Sequence, residues 1–280
     1  MKVPVGLDVG VCSHTGLKRG GNEDDYLLAM SPRDQAALLV AIADGMGGVA
    51  GGAEASRTAL RALGAQLLDG SKQPDAHQRM LDGFQSANAR VLESADAVHA
   101  LQDMGTTLTA LWLDASGAVV GHIGDSRLYL VRDDGCQALT VDHSVNQGES
   151  LLTRCIGGGQ RDCVADSERF RVGSGDRYVL CTDGVWNVVE PEDFAKIVAT
   201  QKAQEAAEML VKRALDEGGP DNATVLVVDV IDANLGGGDS VAGDRHDIAN
   251  VLDRFTLQHE TSWENGAPLA EERLQLVGAD

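Results

Sequence analysis

The sequence predicts an α+β protein, in which strands and helices occupy separate stretches of the chain. Short apolar segments follow one another through tight turns between residues 106 and 131, which is typical of an antiparallel sheet. Apolar residues at helical spacing are confined to residues 53–68, 75–99, 191–199 and 202–215. The β-rich middle of the chain therefore lacks the βαβ alternation that a parallel sheet requires.

Composition restricts the class of protein. The chain has 280 residues, of which 43% are hydrophobic, so it can bury a sizeable core in one large domain or two small ones. Its formal net charge of −20 has the wrong sign for a nucleic-acid partner. Most of this acidity is expected on a solvated surface, and part of it in a site where bound cations offset the charge.

The cysteines and the amino terminus bear on location. The cysteines are scattered and form no C-x-x-C pair, which argues against a disulfide framework or a structural zinc site and favours a reducing compartment. The first 12 residues lack the apolar core of a signal peptide, and no run approaches the roughly 18 apolar residues of a membrane span. We therefore expect a cytoplasmic protein with no membrane partner, and we expect it to be a monomer.

The first half of the chain is organised around one buried strand. An apolar run at residues 37–43 leads into Asp44 and a glycine cluster, a pattern typical of a strand that delivers a carboxylate to a tight turn. Apolar segments at residues 3–12 and 26–30 predict two further strands. The first helix carries leucines at helical spacing, and the second is expected to bury one face, formed by Met80, Phe84, Ala87, Val91 and Val98.

The second half contains the remaining strands, predicted at residues 106–113, 118–123, 127–131, 170–172, 177–181 and 223–231. Residues 140–159 are interpreted as a loop region near the site. The strand at 177–181 stops at Asp183-Gly184, much as the earlier strand stops at Asp44-Gly45. Two strands that end alike suggest one shared site.

Composition changes after Asp232. Residues 233–243 have the content of a flexible linker, and residues 233–280 carry nine acids against three arginines. Apolar residues on one helical face predict a short helix, formed around Ile248, Val251, Leu252 and Phe255. This tail is interpreted as packing on the main domain, residues 1–232, with a docking helix for a partner as the alternative.

Aspartates in glycine-containing or strand-ending turns are the candidate metal ligands: Asp24, Asp44, Asp125, Asp183 and Asp221. Buried carboxylates gathered together repel one another unless cations hold them. Oxygen ligands suit magnesium or manganese, whereas zinc would require His or Cys, and neither His122 nor His143 has a ligand-like spacing. The carbonyl of Gly45 could approach an ion closely because glycine has no Cβ. Taken alone, Asp125 would more often mark a surface turn.

This donor set favours phosphate-ester hydrolysis. Two such ions, roughly 3.5 to 4 Å apart, can share a water whose pKa falls toward neutrality. Arg19 is the candidate phosphate ligand, because its planar fork can grip two oxygens, and Lys18 is a poorer one; the alternative is that both lie in a solvated loop. The segment at residues 45–50 also has the outline of a dinucleotide-binding turn. The carboxylate of Asp44 beside a pyrophosphate and the missing βαβ alternation disfavour that reading.

Six short motifs occur in order within residues 5–230. They are RGGNED (19–24), ADGMGG (43–48), GTT (105–107), GDSR (124–127), CTDG (181–184) and GPDN (219–222). Each is weak alone, but together they resemble the metal-dependent protein phosphatases of the type 2C family, in their bacterial form. The resemblance implies a four-layer αββα sandwich, in which two antiparallel sheets are flanked by helices and the site lies at one end.

The resemblance also implies a role for each metal ligand. Asp44 would bridge two metals, and Gly45 would bind one of them through its carbonyl. Asp183 and Asp221 would hold the second metal. Asp24 would act mainly through bound water.

The same resemblance implies the activity. Asp125 would favour a third, weaker metal, and Arg19 would hold the substrate phosphate, which makes Asp44 and Arg19 the central catalytic residues. The implied reaction is manganese- or magnesium-dependent hydrolysis of phosphoserine and phosphothreonine in proteins, opposing a bacterial Ser/Thr kinase. Two alternatives remain: a catalytically silent phosphoprotein-binding module of the same fold, and a metal phosphodiesterase.

Two departures from the family pattern matter. Some relatives carry a histidine that acts as general acid where Met46 stands, so a metal-bound water is the hypothetical proton donor. Segments 142–144 and 151–157 resemble the borders of the family's substrate flap, and only residues 145–150 lie between them. A short flap affects partner selection and leaves the metal chemistry unchanged.

Overall fold

A computed structural model of the chain describes residues 6–31, 34, 37–68, 75–98, 101–132, 135–146, 150–233, 263–264 and 267–268. The strands are β1 (Leu7–His14), β2 (Asp24–Met30), β3 (Leu38–Met46), β4 (Gly105–Thr106), β5 (Leu108–Asp114), β6 (Gly117–Ile123), β7 (Arg127–Arg132), β8 (Gly135–Ala138), β9 (Ser144–Asn146), β10 (Ser150–Leu152), β11 (Ile156–Gly157), β12 (Asp166–Phe170), β13 (Arg177–Cys181), β14 (Ala223–Val230), β15 (Trp263–Glu264) and β16 (Ala267–Pro268). The helices are α1 (Val49–Leu68), α2 (Ala76–Ala97), α3 (Asp183–Trp186), α4 (Pro191–Thr200) and α5 (Ala203–Asp216).

Two antiparallel sheets stack face to face. The first has the strand order β1-β14-β13-β7-β8; the second runs β11-β4-β3-β5-β6-β12, with β2 also paired to β3. Strand β14 shows how the layers form, because successive side chains of a strand point to opposite faces. Its Leu226 and Val228 enter the core shared with the second sheet, whereas Val225 and Val227 face the helices on the other side.

Helices cover the outer face of each sheet. Helices α1 and α2 pack together against the second sheet, and α5 packs on β1 and β14 of the first. The contact between α5 and β1 is close because residue 10 is glycine: a Cβ at Gly10 would lie 2.2 Å from the backbone of Ala203. The predicted α+β class and the four-layer αββα sandwich are confirmed.

The elements differ from the prediction in several places, among them β1, which lies at Leu7–His14 and not at residues 3–12, and β8, which was not predicted. The region 140–159 contains a β9–β10 hairpin and β11, so its interpretation as loop was wrong. The strand expected at 170–172 lies at Asp166–Phe170, where backbone pairing with β6 outweighs a charged sequence. Val98 is not part of the buried face of α2: the helix ends at Ala97, and Val98 is extended and 48% exposed.

Of the tail, residues 233–280, the structure describes only residues 233, 263–264 and 267–268, so the prediction of a packed tail stays a prediction. The helix expected around residues 248–255 lies outside the described residues, and β15 and β16 form a short antiparallel pair. The helices in the described part of the chain include none with the length and hydropathy of a membrane span. The domain division at residue 232 stays a prediction.

Candidate metal centre

Strand ends from both sheets carry the predicted aspartates. Asp24 begins β2 and pairs across the sheet with Asp44 near the end of β3. Asp183 begins α3 directly after β13, and Asp221 lies two residues before β14. Asp125 occupies the turn between β6 and β7. The stacking of the two sheets brings these ends to one end of the sandwich.

The five aspartates are close enough for their charges to act on one another. Burial raises the pKa of Asp44 well above its usual value, and the charges of Asp24, Asp183, Asp125 and Asp221 raise it further. Burial and the charge of Asp221 also raise the pKa of Asp183, although a hydrogen bond with Asp44 lowers it. The structure therefore brings together every aspartate that the sequence analysis selected.

Asp24 has one satisfied and one unsatisfied carboxylate oxygen. The hydroxyls of Thr182 and Thr224 donate to its Oδ2 at 2.9 and 2.7 Å, which joins the two sheets. Its Oδ1 is buried and has no hydrogen-bond partner within the described structure. Burial raises the pKa of Asp24 to about 7, although the two hydroxyls lower it. Because an unpartnered buried carboxylate oxygen is costly, this atom fits a bound cation or a water held by one.

The chemistry of the donors fits hard divalent cations, but the side chains are not arranged as a finished cage. Within the described ranges, no group of three or more His, Cys, Asp or Glu side chains is positioned to hold a metal ion as it stands. Asp221 instead pairs with Arg19 at 2.6 Å, and the carboxylate of Asp183 lies beside that of Asp44. These carboxylates would have to turn from their present partners toward a common ion.

Gly45 is required for a reason that the sequence analysis missed. A Cβ at Gly45 would lie 2.2 Å from the carbonyl oxygen of Gly52 in α1 and 2.6 Å from that of Glu23. The Gly45 N–H also donates to the Glu23 carbonyl at 3.1 Å. Crowding by two backbones therefore excludes any larger residue, independently of how closely an ion approaches the Gly45 carbonyl.

Arg19 lies at the rim, in a loop that Asn222 holds in place. The amide nitrogen of Asn222 donates to the carbonyls of Thr15 and Gly21 at 2.8 and 3.0 Å. Its amide oxygen accepts from the Glu23 N–H at 2.8 Å. The Arg19 side chain is 49% exposed, so a ligand can reach its guanidinium group from solvent.

A pair of hydroxyls connects Asp44 to the turn of Asp125. The Asp44 N–H donates to Thr107 Oγ1 at 2.9 Å, and the Thr107 N–H donates to the Asp44 carbonyl at 2.9 Å. Thr107 Oγ1 is also hydrogen-bonded to Ser126 Oγ at 2.8 Å. These bonds explain why threonine and serine occur in the motifs at 105–107 and 124–127.

Neutral side chains are the functional residues that the sequence analysis did not assign: Thr107, Ser126, Thr182, Asn222 and Thr224. The first four stand inside the quoted motifs, beside the charged residues, and that adjacency was the available signal. Thr224 had no such signal, because only the pairing of the sheets places it over Asp24.

The two histidines near the site, His122 and His143, are buried and hydrogen-bonded. His122 Nδ1 is hydrogen-bonded to Thr109 at 2.9 Å, and His143 Nε2 to Asp166 at 2.9 Å. Met46 packs against Gly105: a Cβ there would lie 2.7 Å from the methionine methyl group. Met46 therefore fills space beside the site and offers no proton.

The fold and the acidic end of the sandwich define an α+β protein with a centre for hard cations. Residues 13–217 match the family model described as protein phosphatase 2C. The chain belongs to the protein phosphatase 2C family, and the resemblance inferred from the six motifs is confirmed.

Named relatives share this domain. The chain is 33% identical over 252 residues to the serine/threonine protein phosphatase PstP of Mycobacterium tuberculosis. The alignment covers 84% of this chain and 47% of PstP. It is 32% identical over 248 residues to the protein phosphatase PhpP of Streptococcus pneumoniae. That alignment covers 79% of this chain and 97% of PhpP. The chain thus spans about half the length of the mycobacterial relative.

A solved structure matches the fold. The crystal structure of the PstP catalytic domain in complex with two manganese ions is 31% identical, covers 81% of this chain and 99% of that chain, and gives a TM-score of 0.68.

Proposed function

We propose that this chain is a metal-dependent protein serine/threonine phosphatase that hydrolyses phosphoserine and phosphothreonine monoesters. The observation that carries the proposal is the convergence of four other aspartates on Asp44 at one end of the sandwich. The exposed guanidinium of Arg19 beside this cluster adds a phosphate ligand. The names of the relatives and the manganese ions of the PstP structure support the same reading.

The metal-holding residues would be Asp24, Asp44, Asp125, Asp183, Asp221 and the carbonyl of Gly45. Manganese or magnesium, when bound, supplies Lewis acidity and an activated water for attack on phosphorus. Asp44 lies at the centre because the other four carboxylates all act on it. Asp24 has a buried carboxylate oxygen, Oδ1, without a hydrogen-bond partner in the described structure, which a bound cation or its water would satisfy.

Arg19 would bind and orient the substrate. Its guanidinium group now pairs with Asp221 at 2.6 Å, so an incoming phosphate competes with that carboxylate for the cation. If Asp221 served as a metal ligand, the planar fork of Arg19 would be free to grip two phosphate oxygens. The loop held by Asn222 fixes where that grip takes place.

The proton for the leaving oxygen would come from a water at the metal centre and not from a protein side chain. Met46 carries no ionisable group, and among the described residues the nearby histidines His122 and His143 are engaged in buried hydrogen bonds. The phosphorylated proteins that this enzyme acts on would include a Ser/Thr kinase and its substrates, and the enzyme would act as a cytoplasmic monomer.

The test is hydrolysis of p-nitrophenyl phosphate and of a phosphothreonine peptide, with manganese and after chelation. We expect turnover that needs manganese and that falls to the chelated level in Asp44→Ala. Asp8→Ala serves as control, because Asp8 is an exposed acid on β1. Peptide binding without turnover would favour the silent binding module, and preference for bis-p-nitrophenyl phosphate would favour the phosphodiesterase.

A further inference from the structure

The turn that carries Asp125 is tied down on both sides. The His143 N–H donates to the Gly124 carbonyl at 2.7 Å, and the Gly124 N–H donates to His143 Nδ1 at 3.2 Å. On the other side, the indole N–H of Trp186 donates to the Asp125 carbonyl at 3.0 Å. The Asp125 residue is only 5% exposed, so its carboxylate has little freedom apart from its backbone.

Trp186 connects this turn to the element that carries Asp183. It is the last residue of α3, the short helix that Asp183 begins. The guanidinium group of Arg127 lies 3.4 Å from the centre of the Trp186 ring, and Asp142 accepts two hydrogen bonds from Arg127 at 3.0 and 2.7 Å. These contacts form an Asp125 clamp, consisting of Trp186, Arg127, Asp142 and His143.

We propose that Trp186 is a positioning residue that holds Asp125 in place for a weaker, third divalent cation. This inference rests on the proposed function. The indole N–H satisfies the Asp125 carbonyl, and the stacked Arg127 prevents the ring from turning away. Asp183 is held separately, because Gly184 packs directly on the backbone of Asn222. Loss of the indole N–H should therefore lower the affinity of the cation site at Asp125 and leave the affinity of the tighter cation sites unchanged.

The substitution Trp186→Phe keeps a ring under Arg127 and removes the N–H donor. Trp112→Phe is the control, because Trp112 also donates its indole N–H to an aspartate, in this case to the side-chain carboxylate of Asp114 at 2.7 Å. It also has an arginine over its ring, Arg79, at 4.9 Å, but it lies in β5, away from the aspartates. Trp112 is buried and Trp186 is half-buried, so the control reports the loss of an indole N–H that holds no candidate metal ligand.

The measurement is a Mn²⁺ titration of the whole chain, in which free Mn²⁺ is counted by electron paramagnetic resonance, together with the melting temperature. In Trp186→Phe we expect the weakest class of sites to lose affinity by roughly fivefold, the ratio that one ordinary hydrogen bond represents. The tighter sites should keep wild-type affinity, and the melting temperature should fall by no more than about 4 °C, the cost of one hydrogen bond. Trp112→Phe should bind Mn²⁺ like wild type, and Asp125→Asn should remove the weakest class.

Several results would overturn the inference. The first two concern Trp186→Phe: a Mn²⁺ isotherm equal to that of wild type, or an equal loss of affinity in every class of Mn²⁺ site together with a lower melting temperature. The other two are a wild-type protein that shows no weaker class of Mn²⁺ site, and an Asp125→Asn variant that still shows this class. Failure of the proposed function is separate. It would appear as a wild type that binds Mn²⁺ and hydrolyses no phosphate ester, whatever the titrations of the variants give.

Discussion

The glycine at position 184 should be intolerant of even one added methyl group. A Cβ at Gly184 would lie 1.9 Å from the carbonyl oxygen of Asn222, whereas ordinary contact begins near 3.4 Å, so one backbone must retreat by about 1.5 Å. The atom that it meets is backbone, so no side chain can rotate away. Overpacking of this kind costs about 3 kcal/mol or more, which lowers the melting temperature by roughly 6–12 °C.

The same displacement should damage catalysis. Gly184 lies between Asp183 and the helix turn that follows, and its collision partner adjoins Asp221. A misplacement of about 1 Å in catalytic groups costs on the order of a hundredfold in rate. We therefore expect Gly184→Ala to lose at least that factor in manganese-dependent hydrolysis of p-nitrophenyl phosphate, measured below its melting temperature.

Gly20→Ala is the control, because a Cβ at Gly20 would meet nothing within 4 Å although it lies beside Arg19. Its melting temperature and activity should match wild type. Thermal unfolding followed by circular dichroism and the hydrolysis assay check both variants. A Gly184→Ala protein with wild-type melting and rate would refute the reasoning, as would equal damage in the control.

Further predictions concern stability, pH, the proton donor and the tail. Asp176 is 2% exposed and accepts two hydrogen bonds from Arg132 at 2.6 Å, so Asp176→Ala should lower the free energy of unfolding by about 3–5 kcal/mol. Urea titration checks this, and a loss below about 1 kcal/mol, the range of an exposed pair, contradicts it. Burial lowers the pKa of His143 below 6.5, although Asp166 raises it. The unfolded chain then binds the proton at His143 more readily, so the contribution of this group to stability is lost as pH drops below 6.5, and wild type should lose stability relative to His143→Gln over that range; parallel urea midpoints for the two proteins would count against it. If the proton comes from solvent, Met46→His should leave the hydrolysis rate of substrates with poor leaving groups unchanged or raise it. A large loss of that rate with intact Mn²⁺ binding would exclude solvent as the donor. Removing residues 233–280 should lower the melting temperature if the tail packs on the domain; unchanged melting and activity would contradict the packed interpretation.

Periodicity made most elements predictable. The leucines at 60, 63 and 67 are all buried in α1, and the predicted helices at 191–199 and 202–215 differ by one residue at most at each end from α4 and α5. Such patterns depend on neighbours a few residues apart, so they can be seen along the chain. The prediction that Val98 lies on the buried face of α2 was wrong, because the same periodicity does not reveal where a helix ends.

Register and crowding could not be seen in this way. Asp24 faces Asp44 because β2 and β3 pair in one particular alignment, and Thr224 reaches Asp24 from a strand 200 residues away. The crowding at Gly45 depends on how α1 meets the loop before β2. These are distances between remote segments, and a local pattern carries no information about them.

By itself, the sequence determined which donors are available: five aspartates at turns, an arginine in a glycine loop, and a methionine in place of an ionisable group. Residue identity decides that chemistry, because charge and hydrogen-bonding capacity belong to each side chain. Only the tertiary structure decided that these aspartates raise one another's pKa, that Asp24 Oδ1 has no partner in the described structure, and that Trp186 holds the turn of Asp125. Those properties depend on distance and burial, which exist only after two stacked sheets bring separate strand ends together.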